Sequence, residues 1–334
     1  MVDSRSNDEP LRIGSIGLGH IGYHLAANLL AAGYEVTVHD LDTAAAAGLL
    51  EAGAQWAASP EDVARLSDTV ITCLPTVAAV TEVVAGENGL LRGFASGATW
   101  VDMSTNDLHE LQRLAALLAK AGVQTLEAPV TGGVHNASSG TITVLVGGDE
   151  ATFEKHLAVF RAVGGKVFYM GPLGKATVTK VITNMLAFVH IAASAEAFML
   201  AKRADIDLRL AWEAIRASSG NSFILETEST TILSGSYDIG FSLDLSCKDL
   251  GFAVQLGRDL DVPLDIASMV EQLNIRGRAR YGGGAGSPMV AKLLEESCKT
   301  DLRAPGFPET LADYLATMPR TAPGSEPPTP AQGQ

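Results

Sequence analysis

From Leu11 to Met170 the chain alternates short apolar runs with segments of helical period. LRIGSIG, EVTVHD, TVITCL, ATWVDMS, VQTLEAPV, ITVLVGG and KVFYM are compact and β-branched, and predict strands. Between or after them HIGYHLAANLLAAG, DTAAAAGLLEAG, SPEDVARLS, VAAVTEVV, NDLHELQRLAALLAKAG and DEATFEKHLAVFRAVG space their apolar residues as helices do. Strands that alternate with helices at this tempo predict an α/β architecture with a doubly wound parallel sheet.

After Gly171 strand signals almost vanish. Gly174 to Ala204 predicts one helix of about thirty residues, long enough to be the spine of a helical domain. Further helices are predicted at Leu208 to Ala217, within Ser242 to Leu260, and at Pro263 to Gly277. The resulting division is a disordered N-terminus at 1–10, an α/β domain at 11–171, an all-α substrate and oligomerisation domain at 172–300, and a Pro/Gly-rich tail at 301–334.

Composition narrows the function classes. A formal charge of -14 argues against a nucleic-acid binder, which needs a basic face. The leading MVDSRSNDEP lacks the basic and then apolar regions of a signal peptide, and no uninterrupted apolar run predicts a spanning helix. A cytoplasmic protein without membrane attachment is expected. Cys73, Cys247 and Cys298 lie apart and read as reduced structural thiols. His20, His39, His135 and His190 are scattered without metal-ligand spacing, so no metal site is expected.

The first strand runs into Gly17-Leu18-Gly19-His20-Ile21-Gly22 and then an Ala/Leu-rich helix. Here Gly17 suits the tight turn, Gly19 lets backbone approach a pyrophosphate, and Gly22 brings helix and strand together. Helix N-terminal amides would face the anion. The second strand ends in Asp40, twenty-one residues after Gly19, where a carboxylate can accept from ribose hydroxyls. This is the Rossmann pattern. Asp40 repels a 2'-phosphate and no Lys or Arg follows in LDTAAAAG, so NAD is expected over NADP. Asp42, rather than Asp40, is the candidate helix cap.

Several separated motifs then coincide between residues 11 and 300: IGLGHIG, CLPTVAAV, VDMSTND, EAPVTGGVHNASSGTITVLVGG, GPLGKATVTKVITNML and CKDLGFAVQLGRDLDVPLDIAS. In this order the chain resembles the beta-hydroxyacid dehydrogenase family, which includes 3-hydroxyisobutyrate dehydrogenases and tartronate semialdehyde reductases. The resemblance implies that Lys180 is the catalytic lysine and Asn184 its partner amide. It implies that Thr131, Gly132 and Gly133 hold the substrate carboxylate. Leu74, Pro75 and Thr105 would line the cofactor, Lys248 would stand near cofactor and substrate, and Phe241 near the nicotinamide. A small carboxylate substrate and NAD-dependent oxidation of a 3-hydroxycarboxylic acid follow from the likeness. Thr131 stands where the family more often has Ser, Asn136 where it has Gly, and Thr183 where it has the first Asn of a pair. Ala79 stands where an Asn often contacts cofactor, and no Pro follows Ser104-Thr105. These departures leave the acid unnamed.

Elementary geometry agrees on the lysine. Lys180 and Asn184 are one helical turn apart and share a face, while Lys175 is rotated about 140° from Lys180. Alcohol oxidation needs an acceptor for the hydroxyl proton, and a lysine serves once desolvation or a nearby cation lowers its pKa from about 10.4. Lys248 is the candidate cation, and Asn184 can donate to the same substrate oxygen. Lys175 is expected at the solvated start of the helix. Two rival readings are an NADPH-dependent aldehyde, semialdehyde or imine reductase, and a catalytically silent dinucleotide-binding scaffold. Apolar residues on several sides of the long helix predict a homodimer or homotetramer.

Overall fold

In the computed structural model, residues 11–316 are described. The expected disordered N-terminus and the end of the expected tail lie outside them. Among the described residues nine strands form one sheet: β1 (Ile13–Ile16), β2 (Val36–His39), β3 (Gln55–Trp56), β4 (Thr69–Thr72), β5 (Thr99–Asp102), β6 (Gln124–Glu127), β7 (Val130–Thr131), β8 (Ile142–Gly148) and β9 (Gly164–Gly171). Their order is β3-β2-β1-β4-β5-β6-β8-β7, with β9 on β8. From β3 to β6 every pairing is parallel.

The connecting helices are α1 (Gly22–Ala31), α2 (Ala47–Glu51), α3 (Pro60–Leu66), α4 (Val77–Ala85), α5 (Leu90–Gly93), α6 (Leu108–Lys120), α7 (Gly133–Ser138) and α8 (Glu150–Val163). They cover both faces of the sheet, which is why the central strands β1, β4 and β5 are buried at every position. Alternate residues feed two cores: Ile71 and Val101 pack with Leu25, Leu29 and Phe160, whereas Val70 and Trp100 pack with Val63, Val80 and Leu114.

One feature departs from an all-parallel sheet. β8 runs antiparallel to β6 and β7, pairing Glu127 with Gly147 and Thr131 with Thr143. Only the ten residues 132–141 link β7 to β8. That is short for a parallel crossover, so the chain folds straight back. Those ten residues also contain the short helix α7.

The remaining helices are α9 (Lys175–Arg203), α10 (Leu208–Arg216), α11 (Phe223–Glu226), α12 (Ser229–Ser234), α13 (Leu243–Asp259), α14 (Asp265–Tyr281), α15 (Val290–Cys298) and α16 (Leu311–Ala316). α11, α12, α15 and α16 carry no strong sequence signal because three of them last barely a turn or two, too short for a period to register. The chain forms two compact units, one reaching to Ala187 and including Asp244–Gln272, the other comprising Phe188–Leu243 and the chain from Leu273. α9 thus contributes residues to both units, and Asn184 in its first half bonds to Asp249 of α13.

The tail beginning at 301 is a correction. Leu302 is fully buried and its N–H donates to Glu295 at 2.9 Å, while Trp212 packs edge-on against Phe307 and Tyr314. Averaged over the whole segment, Pro and Gly mask these few apolar anchors. α9 is long enough to span a membrane, and an 18-residue stretch of it reaches a mean hydropathy of 1.4. Its buried Lys180 and Asn184 are instead bonded within the protein, as expected for a core helix.

Candidate active site

The Gly-rich turn sits at the C-terminal end of β1. Gly17 has φ of 91°, and a Cβ there would lie 2.4 Å from the Cys73 carbonyl oxygen. A Cβ on Gly22 would lie 1.9 Å from the Gly17 carbonyl oxygen, whereas Gly19 faces open space. Ile21 opens α1 without a side-chain cap, leaving first-turn amides for a ligand. His20 is exposed beside them. Asp40 is held by Leu18 N–H at 2.6 Å and Asp42 N–H at 2.9 Å. The cap of the next turn is Asp42, which accepts from Ala44 N–H at 3.0 Å. These residues fit a dinucleotide: an open glycine, a helix start without a side-chain cap and an oriented carboxylate at the second strand end.

Leu74 and Pro75 follow β4, and Leu74 N–H donates to Ser104 Oγ at 2.9 Å. The next turn is built around Asp102, a buried carboxylate that accepts from Thr72 Oγ1 at 3.0 Å, Ser104 N–H at 3.1 Å and Asn106 Nδ2 at 2.9 Å. Burial pushes its pKa up and these hydrogen bonds oppose the rise. Thr105 is thereby set half-buried, with its carbonyl oxygen accepting from Lys248 Nζ at 2.8 Å.

Lys180 and Asn184 are both buried on one face of α9, while Lys175 is exposed. Lys180 Nζ donates to Asn184 Oδ1 at 2.8 Å, and Asn184 Nδ2 donates to Asp249 Oδ2 at 2.6 Å. Asp249 Oδ1 pairs with Lys248 Nζ at 2.9 Å. Lys180, Asn184, Asp249, Lys248 and Thr105 are thus linked in one continuous chain. Asn184 uses its oxygen for Lys180 and one N–H for Asp249, and Lys248 reaches the network as half of an ion pair rather than as a bare cation. Burial first, then Asp102, pushes the Cys73 thiol up to about 12, and the Lys180 ammonium opposes them. Lys180 therefore acts at the end of β4, beside the Gly-rich turn.

Thr131 ends β7, Gly132 follows it and Gly133 opens α7, with φ of 122° and 81°. Their amides are free to turn because neither residue carries a Cβ. Asn136 explains its departure from Gly: its Nδ2 donates to the Gly132 carbonyl at 2.8 Å and its Oδ1 accepts from Thr141 at 3.2 Å, latching the turn. His135 packs over Gly133 and burial lowers its pKa. Just upstream, Glu127 ends β6, and its buried carboxylate accepts from Gly174 N–H at 2.5 Å and from the N–H groups of Ala176 and Thr177 at 3.0 Å. The Thr177 hydroxyl donates to it as well. Burial pushes its pKa up against these bonds.

Lys180, Asn184, Lys248 and Thr105 are thus brought together, while Gly17 to Gly22 and Asp40 form the adjoining nucleotide cradle. Phe241 lies in the second unit, its ring 5.6 Å from that of Phe188. Sequence reasoning missed Asp249, Glu127 and Asp102 as contributors. Their signal is a carboxylate within or at the end of an apolar element, where burial demands partners.

Known proteins match along the same two segments. Residues 12–171 fit the NAD binding domain of 6-phosphogluconate dehydrogenase, and residues 174–294 fit the NAD-binding domain of NADP-dependent 3-hydroxyisobutyrate dehydrogenase. The chain is 34% identical to 2-(hydroxymethyl)glutarate dehydrogenase of Eubacterium barkeri, covering 86% of this chain and 96% of that one. It is 36% identical to the NAD-dependent L-serine dehydrogenase of Pseudomonas aeruginosa, covering 72% and 84%. The crystal structure of a 3-hydroxyisobutyrate dehydrogenase from Salmonella typhimurium superposes with a TM-score of 0.78 at 31% identity, over 84% of this chain and 99% of that one. The glycine cradle, the lysine on α9 and these matches agree: the chain belongs to the beta-hydroxyacid dehydrogenase family, as an oxidoreductase acting on a CH–OH group with a nicotinamide dinucleotide.

Proposed function

We propose that this protein is an NAD-dependent dehydrogenase that oxidises a small 3-hydroxycarboxylic acid to its semialdehyde or keto acid, with Lys180 as general acid/base. The observation that carries this reading is the bond from Lys180 Nζ to Asn184 Oδ1 at 2.8 Å. With one N–H of the neutral amine committed to the amide oxygen, the lone pair is directed away from Asn184 and can take the hydroxyl proton. Thr131, Gly132 and Gly133 hold the carboxylate through a hydroxyl and backbone amides. The bound dinucleotide supplies the two-electron acceptor. In the reverse direction Lys180 returns the proton to the carbonyl oxygen. The acids named in the three relatives all carry a hydroxyl on the carbon β to a carboxylate, which supports this substrate class.

Asp40 supports NAD. Its carboxylate is oriented by two backbone amides at the end of β2, and residues 41–48 offer no cation for a 2'-phosphate. The second family match is described for NADP-dependent enzymes, so both cofactors belong in the test. A panel of 3-hydroxyacids is followed by reduced-cofactor absorbance with NAD and NADP. Turnover with NAD is expected, and Lys180→Ala should lower kcat about 10²- to 10⁴-fold while leaving NAD binding intact. Full activity in Lys180→Ala, or no turnover of any acid, overturns the reading. The working form is a homo-oligomer: Ile182, Leu186 and Leu200 are 43%, 44% and 73% exposed along one stripe of α9. A monomer by light scattering refutes that.

A further inference from the structure

Helix caps ordinarily come from the residue just before the helix. α9 is different. The segment preceding it, Gly-Pro-Leu-Gly at 171–174, has glycines with φ of 100° at both ends and no capping carboxylate or hydroxyl. The cap comes instead from Glu127, 47 to 50 residues upstream, which accepts three backbone amides and the Thr177 hydroxyl. Backbone amides can only donate, so both carboxylate oxygens serve as acceptors. Room for the carboxylate exists because residue 147 is glycine; a Cβ there would lie 2.2 Å from Glu127 Oε1.

Glu127 also occupies a junction. Its backbone ends β6 and pairs with Gly147, and Ala128-Pro129 leads directly to Val130, Thr131, Gly132 and Gly133. Its side chain grips the first turn of α9, three residues before Lys180. One residue therefore ties the turn assigned to the substrate carboxylate to the helix assigned to the proton carrier. A slip of one residue along a helix moves a side chain by about 1.5 Å and 100°. Misplacement of about 1 Å can cost about 10²-fold in rate.

We propose that Glu127 is a positioning residue that sets Lys180 relative to the carboxylate-holding turn by clamping the first turn of α9 to the end of β6. This rests on the reading of Lys180 as the proton carrier. It also predicts an electrostatic signature. A carboxylate at the helix start offsets the positive end of the dipole and favours the protonated form of a lysine one turn on.

The test compares wild type with Glu127→Gln, Glu127→Asp and Thr177→Val. It measures kcat, KM for the best 3-hydroxyacid, NAD binding by fluorescence titration, and the pH profile of kcat. In Glu127→Gln an amide nitrogen must face backbone donors. We expect kcat to fall about 10- to 100-fold, with NAD binding within about two-fold. The acidic limb assigned to Lys180, below which the amine is protonated and cannot take the hydroxyl proton, should move to lower pH by about half a unit. Glu127→Asp keeps the charge, so its limb stays in place while kcat falls less. A merely structural residue would lower thermal stability and leave the limb unmoved. A folded Glu127→Gln with wild-type kcat and an unmoved limb overturns the proposal. If that variant does not fold, Thr177→Val decides: it removes one donor of four, and wild-type kcat in it overturns the proposal. An active wild type with a dead Lys180→Ala and an unaffected Glu127→Gln removes this inference alone. Full activity in Lys180→Ala removes the underlying reading with it.

Discussion

Asp249→Asn is the sharpest probe of the charged chain, because it keeps shape and removes charge. Asp249 is 1% exposed, accepts from Asn184 Nδ2 at 2.6 Å and pairs with Lys248 Nζ at 2.9 Å. An asparagine can offer its oxygen to only one of these donors. If it faces Asn184, its own NH₂ faces the Lys248 ammonium; if it flips, two amide NH₂ groups meet. A hydrogen bond to a charged group contributes about 1.5–3 kcal/mol, and breaking a fully buried ion pair costs about 3–5 kcal/mol. Lys248 retains 18% side-chain exposure, so solvent screens part of the pair and we expect about 2 kcal/mol of lost stability. Loosening Asn184 releases its hold on Lys180, and kcat should fall about 10-fold, equivalent to about 1.4 kcal/mol. Urea unfolding followed by fluorescence reads the first quantity and reduced-cofactor absorbance the second. A double-mutant cycle with Asn184→Ala should give a coupling above about 1 kcal/mol, since the two residues share one network. Stability within about 0.5 kcal/mol of wild type, together with unchanged kcat, would falsify the network.

Three further outcomes are expected. Gly22→Ala places a Cβ 1.9 Å from the Gly17 carbonyl oxygen, so backbone must move. Calorimetry should show a loss of about 1–3 kcal/mol or more and titration a collapse of NAD affinity; unaltered binding refutes the close approach. His156 is fully buried, with Nδ1 on the Thr152 carbonyl oxygen at 2.7 Å and Nε2 on Thr69 Oγ1 at 2.9 Å, an arrangement suited to neutral imidazole. Burial lowers its pKa, so the unfolded chain takes the proton first. Its contribution is therefore present above about pH 6.5 and lost below, by up to about 1.4 kcal/mol per pH unit. The stability difference between wild type and His156→Gln should shrink from pH 7.5 to 5, and a constant difference refutes this. Cys73, with its thiol near 12, should resist iodoacetamide at pH 8 in the folded protein and react once unfolded, as read by peptide mass spectrometry. Equal alkylation in both states counts against it.

Short-range pattern was legible. Apolar alternation located the strands β1, β2 and β4 to β6 together with their helices, the glycine spacing with Asp40 located the nucleotide cradle, and the Lys180–Asn184 interval put both on one helical face. The same periodicity was silent about α11 and α12, and composition hid the packing of Leu302, Phe307 and Tyr314. Nor could it show that the 132–141 link reverses β8.

The sequence by itself determined the α/β class, the dinucleotide turn and which lysine is turned inward, because these depend on residues within a turn or two of one another. Tertiary structure decided what that lysine is bonded to. Asn184 meets Asp249 from 65 residues away, and Glu127 caps a helix 47 to 50 residues downstream. A buried amide or carboxylate must find partners, but which distant groups supply them is settled only when the chain folds back.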